Sequence, residues 1–328
     1  MSKLRIAFVG TGGRSWTHIG RLVEFEDVEL AGFMDIVPER AHEKCAKAGQ
    51  GKAYESYVEM LDGAKPDVLY VCVSPSEHGM IEREAIARGI HLFVEKPMAL
   101  DMALAQELCA AAEAKKLVTC IGFQDRYLDL TEQARTWMQG RKVGLVDGAW
   151  VGGLPGVPWY PKYATCGGQL LEQTIHIYDM VRNLFGEPAK VYCAGGRGII
   201  QKEGYDLHDY SSSVITMQSG IVVTIFNGCY RGDGAPGFPS GMNIHCEDCT
   251  IRYYLRDRVT FESKDEVTTF WKRGADWQTV MNRTFIDAVK TGDTSAIRSD
   301  YADAIKTLKL TLACNASMET GEPVLIDG

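Results

Sequence analysis

No stretch of the 328-residue chain reaches the roughly 18 consecutive apolar residues that a membrane span needs, so no membrane partner is expected. Positive charge is in deficit, with 35 Lys and Arg against 43 Asp and Glu. The net charge of −8, with no basic stripe on any predicted helix, speaks against nucleic acid or an anionic membrane as main partner. The ten cysteines are scattered from Cys45 to Cys314, too thinly for a disulfide scaffold, and read as reduced thiols of a cytoplasmic protein. Cys246 and Cys249 form a lone C-x-x-C without a second pair at zinc spacing; it reads as a turn between strands, and no metal is expected. Internal repeats and low-complexity segments are absent from the sequence. Arg5 interrupts the first apolar run, which is expected to be a strand rather than the core of a signal peptide. What remains is an ordinary globular composition, 45% hydrophobic and 24% charged, long enough for two domains with full cores.

The most informative stretch is Leu4 to Ser15, LRIAFVGTGGRS. A short apolar run, Ile6 to Val9, feeds Gly10-Thr11-Gly12-Gly13-Arg14-Ser15, a G-x-G-x-x-S version of the dinucleotide fingerprint with Ser15 in the third glycine place. Gly10 permits the tight turn, and Gly12 lets a pyrophosphate approach free helix N–H groups. A second apolar strand, Val28 to Asp35, ends on an acid 25 residues after Gly10. Asp35 there can accept the hydroxyls of an adenosine ribose, which favours NAD; it could instead serve as a strand-end turn residue or helix N-cap. Arg40 lies close by and leaves NADP open.

Strands and helices alternate through the first 120 residues. Further strands are predicted at 67–73, 91–94 and 117–122, and helices at 38–48, 77–88 and 102–114. That spacing predicts an α/β N-terminal domain, a Rossmann doubly wound parallel sheet over residues 1–122. After Gly122 the texture changes. Strands with period-two alternation are predicted at 142–150, 189–194, 211–218, 221–227, 241–245, 250–254 and 259–262, and helices at 129–139, 170–185, 277–291 and 301–320. Residues 123–328 are therefore expected to form a C-terminal α+β domain with an open, mostly antiparallel sheet. The Gly- and Pro-rich 228–241 reads as a mobile loop near a site or interface.

Two constellations carry chemistry. Glu95-Lys96-Pro97 stands just beyond a parallel strand, at the carboxyl edge where ligands of such sheets bind, so Lys96 is expected to face the crevice; a solvated lysine is the plainer alternative. The segment Gly167 to Asp179 places Glu172, His176, Asp179 and Asn183 at i, i+4, i+7 and i+11, one polar stripe on a single helix. Glu172 could then orient and polarise His176 as a general base, or the two could be an ordinary surface pair. Arg126, Tyr127, Trp159, Tyr160 and Tyr163 form a further polar and aromatic set; Trp159 and Tyr160 lie in the Pro-flanked loop GVPWYPKY, where loop packing is the plain reading of each ring.

Taken together, GTGGRS, Asp35, Ser74 to His78 (SPSEH), Glu95-Lys96-Pro97, Gly122 to Tyr127 (GFQDRY), GGQLLEQTIHIYD and the tail Leu308 to Leu325 resemble the Gfo/Idh/MocA oxidoreductase family. The resemblance implies NAD(P)-dependent transfer of hydride to or from a secondary hydroxyl of a sugar, sugar derivative or cyclitol. Lys96 and His176 would flank the reacting carbon, and Glu172 would support the histidine, in a place where the family usually has Asp. The implied cofactor set is Gly10, Gly12, Gly13, Arg14, Ser15, Asp35, Ser74, His78, Glu95 and Lys96. The implied substrate set is Arg126, Trp159, Tyr160, Tyr163 and Asp179; with a polyol as the implied substrate, Tyr127 would join its wall, and Trp159 and Tyr160 would suit stacking on the apolar face of a sugar ring. A homo-oligomer, dimer or tetramer, is expected by the same similarity. Two alternatives use the same scaffold: a redox-neutral sugar-modifying enzyme with tightly held NAD, and a non-catalytic sugar or NAD sensor.

Overall fold

The computed structural model describes residues 3–232, 234–236, 238–274 and 276–326. Two compact units emerge: Met1–Tyr127 with Ala275–Ile305, and Leu128–Gly274 with Lys306–Gly328. The first unit continues to Tyr127 and takes back a segment from near the C-terminus.

The first unit contains strands β1 (Leu4–Val9), β2 (Val28–Met34), β3 (Lys52–Tyr54), β4 (Val68–Val71), β5 (His91–Val94) and β6 (Thr119–Ile121). Its helices are α1 (Gly13–Leu22), α2 (Pro38–Ala48), α3 (Tyr57–Ala64), α4 (Met80–Ala87) and α5 (Met102–Ala114). All six strands are parallel, in the order β3-β2-β1-β4-β5-β6. The order reverses between β1 and β4, the crevice where doubly wound sheets bind nucleotides. The inner strands are near-continuous apolar runs because helices cover both their faces.

The core of this unit is aromatic. Phe8 stacks on Tyr70 at 4.8 Å and Tyr70 on Phe93 at 4.6 Å, while Phe285 meets Phe93 edge-on at 5.6 Å. Phe285 comes from a helix that sequence order assigned to the other domain. That helix, Trp277–Thr291 (α10 in the chain), contributes buried Met281, Phe285 and Ile286 to the same cluster as Ile6 and Val68. Its polar side is tied down by Asp27, which accepts from Arg283 at 2.8 Å and Lys290 at 2.6 Å. These two hydrogen bonds hold the Asp27 carboxyl well below the usual range.

The second unit carries α6 (Asp129–Met138), β7 (Val143–Val151), α7 (Tyr163–Cys166), α8 (Gln169–Glu172), α9 (Ile175–Phe185), β8 (Pro188–Gly196), β9 (Tyr210–Met217) and β10 (Val222–Gly228). It continues with β11 (Gly241–Cys246), β12 (Cys249–Tyr254), β13 (Arg258–Ser263), β14 (Val267–Trp271), most of α11 (Tyr301–Thr320) and β15 (Val324–Leu325). The nine strands run β14-β13-β12-β11-β7-β10-β9-β8-β15, antiparallel throughout except for the parallel pair β7 and β10. Cys246 and Cys249 flank the turn between β11 and β12, as expected.

Burial alternates along β9 and β12, so one sheet face is covered and the other open. Tyr178 of α9 bonds Ser213 of β9 at 2.9 Å on the covered face. Leu145, Tyr192 and Val214 stand exposed on the open face. Asp233 and Gly237, in the loop predicted at 228–241, lie outside the described residues.

Candidate active site

The fingerprint turn is built as its residues demand. Gly10 has φ +82°, and a Cβ there would lie 2.4 Å from the Cys72 carbonyl oxygen, so glycine alone fits. Gly12 heads α1 without a side-chain cap. Among the described residues, nothing comes within 4 Å of a Cβ built on Gly12 or Gly13, so there is open space beside the start of α1, whose first N–H groups have no partner within the helix. A dinucleotide pyrophosphate fits such a cradle. Ser15 fills the third glycine place without intruding: it is fully buried, and its hydroxyl donates to Gly12 O at 2.8 Å.

Asp35, at the end of β2, accepts the Thr11 N–H at 2.6 Å and the Val37 N–H at 2.9 Å. It therefore both shapes the glycine turn and closes its own strand-end turn. The Arg40 guanidinium stands 3.8 Å from the same carboxylate. Ser74, half-buried, precedes a 3₁₀ turn after β4. His78 is buried beside it, with Nδ1 2.6 Å from Glu82, whose other oxygen accepts the Gly79 N–H.

Glu95 occupies the end of β5 and is 3% exposed. Its Oε1 accepts from Arg14 Nε at 2.7 Å and lies 2.9 Å from His18 Nε2. Burial pushes this carboxyl up, but the charge of Arg14, the hydrogen bond and charge of His18, and the charge of Lys96 outweigh that. They hold it well below the usual carboxylate range. His18 Nδ1 in turn meets Asn282 Oδ1 at 2.9 Å, which also accepts from Tyr70 at 3.0 Å. Arg14 also donates to Gln124. The side chains of Arg14 and Glu95 are thus spent on each other and on this buried network, which anchors the β5 edge where Lys96 stands, half-buried and joined to Pro97. His18 shares a face of α1 with Arg14, a spacing legible in the sequence; Asn282 arrives from α10 with no local signal.

The expected single helix over 170–185 is broken. Thr174 N–H reaches back five residues to Gln169 O at 3.0 Å, and the helix restarts with Ile177 and Tyr178 donating to Thr174 O. Glu172 ends α8, and His176, Asp179 and Asn183 follow on α9. His176, 5% exposed, stacks on Trp150 of β7, with ring centroids 5.9 Å apart and planes 17° apart. Asp179 is buried and accepts from Thr307 of α11 at 2.9 Å, which in turn accepts from Arg182 at 2.6 Å. Its carboxylate ties two helices together.

Two other residues of the expected substrate set are buried as well. Tyr160 is fully buried in a small cluster with Cys166, Leu207 and Cys229, so its ring has no face to offer a sugar. Arg126, 4% exposed, donates to Arg298 O and pairs with Asp303 at 2.7 Å. Neighbouring Tyr127 accepts from the Arg298 N–H at 3.0 Å. Trp159 remains half-buried beside Tyr160, and Tyr163 is exposed, its hydroxyl accepting from Asn315 at 3.2 Å.

Among the described residues no helix is long and apolar enough to cross a membrane, and no group of His, Cys, Asp and Glu could hold a metal ion. Comparison with known proteins agrees with the architecture. The chain is 24% identical to myo-inositol 2-dehydrogenase of Thermotoga maritima, over 99% of each chain. It is 24% identical to scyllo-inositol 2-dehydrogenase (NAD(+)) of Bacillus subtilis, over 99% of this chain and 97% of that one. The solved structure of a levoglucosan dehydrogenase in complex with NADH superposes with a TM-score of 0.87 at 17% identity, covering 99% of this chain and 100% of that one. The model for the oxidoreductase family with an NAD-binding Rossmann fold matches residues 4–123, and the model for the family's C-terminal domain matches 142–252, together more than two thirds of the chain. The chain belongs to the Gfo/Idh/MocA family of oxidoreductases, and its first unit is that family's NAD-binding Rossmann domain.

Proposed function

We propose that this oxidoreductase is an NAD-dependent dehydrogenase for a secondary hydroxyl of a sugar, sugar derivative or cyclitol. One observation supports the reading: Lys96 directly follows a glutamate locked by Arg14 and His18 at the carboxyl edge of the parallel sheet that also carries the Gly10–Gly12 turn, where a cation would stand beside a bound dinucleotide. The bound dinucleotide supplies the hydride acceptor, and the residues arrange everything else. His176 takes the hydroxyl proton at its imidazole, with Glu172 as its supporting carboxylate. Lys96 hydrogen-bonds the same oxygen and stabilises the negative charge that develops on it. Asp35 receives the adenosine ribose, which selects NAD over NADP. Trp159 and Tyr163 line the substrate side. The names of the relatives, dehydrogenases of inositols and levoglucosan, support the substrate class.

The open face of the nine-stranded sheet, with exposed Leu145, Tyr192 and Val214, is the interface of a homo-oligomer, dimer or tetramer, which sedimentation velocity reads out. Ten unpaired cysteines suit the reducing cytoplasm.

The test is NADH production from myo-inositol, scyllo-inositol, a methyl glucoside and levoglucosan. Lys96→Ala and His176→Ala should each lower kcat/KM by about 10²–10⁴-fold. The double variant should fall little below the worse single one, because both groups act on one oxygen. NAD affinity of His176→Ala should stay at the wild-type level. Wild-type turnover in either single variant overturns the assignment.

A further inference from the structure

On the sheet face that carries His176 lies a buried amide that neither the fold nor the mechanism above accounts for. We propose that Gln169 is a specificity-determining residue whose Nε2 donates a hydrogen bond to a non-reacting hydroxyl of the polyol substrate. The proposal rests on the dehydrogenase reading and on His176 as its base.

A chain of donors on the covered face of the second sheet leads to this group. Ser211 Oγ donates to Asn227 Oδ1 at 2.6 Å, and Asn227 Nδ2 donates to Gln169 Oε1 at 2.9 Å. Each amide is thereby turned so that its oxygen faces back along the chain. All three residues are at least nine-tenths buried. The last donor, Gln169 Nε2, is itself buried and has no hydrogen-bond partner among the described residues. A buried N–H left unpaired is unfavourable, and native structures seldom keep one without a purpose.

Register places this donor near the imidazole. Asn227 of β10 and Trp150 of β7 are direct partners in the parallel pair, so their side chains leave the same face about 4.8 Å apart. Trp150 carries His176 on its ring. Gln169 also begins α8, one turn before the break that sets the start of α9. The amide is therefore held by Asn227 of β10 and the imidazole by Trp150 on the adjacent β7. A polyol offers hydroxyls on neighbouring carbons. One gives its proton to His176, while a neighbour accepts from Gln169 Nε2. The amide presents only donor hydrogens, so it favours a hydroxyl or other oxygen acceptor at that carbon over hydrogen.

The experiment uses the full-length protein with NAD and whichever polyol of the panel above is turned over fastest, together with its monodeoxy analogues. Gln169→Glu keeps the shape and still accepts from Asn227, but removes the donor. It should raise KM about 10- to 100-fold, with kcat changed far less. For one monodeoxy analogue the wild type should lose the same factor, and Gln169→Glu should lose nothing more, closing a cycle between residue and hydroxyl. Asn227→Asp, which accepts from Gln169 Nε2 and turns Oε1 outward, should reproduce the loss. It serves as the deciding variant should thermal melting show Gln169→Glu unfolded. Wild-type KM and an unchanged ranking of analogues in either folded variant overturn the proposal. A wild-type protein that binds NAD but turns over no member of the panel overturns the dehydrogenase reading instead, and this inference with it.

Discussion

Replacing Glu95 by alanine tests whether the buried charge network organises the first unit. The carboxylate accepts from Arg14 and faces His18 through one oxygen, and a Cβ at Gly122 would lie 2.8 Å from its carboxyl group. Removing one member of a buried ionic cluster typically costs about 3–5 kcal/mol, because the partner left behind keeps its desolvation penalty. Arg14 has a side chain 33% exposed and recovers water, whereas the His18 side chain is 0% exposed and cannot. The lower end, about 3 kcal/mol, is therefore expected. For a unit of this size that corresponds to a fall in Tm of about 6–12 °C near neutral pH, read by calorimetry or circular dichroism.

The pH dependence follows from the direction of the shift. The folded carboxyl titrates below its ordinary value of 4.5, so its contribution is complete above that value and disappears as acid protonates the folded state. The gap between wild type and Glu95→Ala should thus be constant around neutrality and narrow as the pH falls through 4.5. A loss under about 2 °C near neutral pH, or a gap that widens in acid, refutes the reasoning.

Other perturbations address the cradle. Gly10→Ala forces a Cβ to within 2.4 Å of the Cys72 carbonyl in a left-handed backbone. It should weaken NAD binding more than about tenfold, over 1.4 kcal/mol, by isothermal titration; wild-type affinity would show that the turn plays no part. Asp35→Ala removes the acceptor for Thr11 and Val37 N–H. It should lower kcat/KM for NAD about tenfold or more while affecting NADP less, and an unchanged NAD-to-NADP ratio assigns Asp35 to the turn alone.

Much of the fold was legible because its signals are local. The apolar runs of β1, β2 and β4, the glycine turn and the alternation in β9 and β10 each lie within ten residues of sequence. Three short or exposed strands, β3, β14 and β15, gave no such pattern. The broken helix was misread for a physical reason: Gln173 and Thr174 carry no glycine or proline, and the five-residue hydrogen bond to Gln169 that interrupts the turn is a backbone event. The burial of Tyr160 left no local signal, because Leu207 and Cys229, which pack on it, come from residues more than 40 positions away.

From its own order of residues, the chain determined the nucleotide turn, the parallel sheet and the presence of a lysine after β5 and a histidine in a late helix. Those depend on periodicity and on backbone conformations that only certain residues accept. Tertiary structure alone decided that α10 belongs to the first unit, that Arg14 and Glu95 serve each other, and that Gln169 ends a donor chain from Ser211 and Asn227. An apolar stripe or a polar side chain is the same whatever it meets, and only the folded chain chooses its partner.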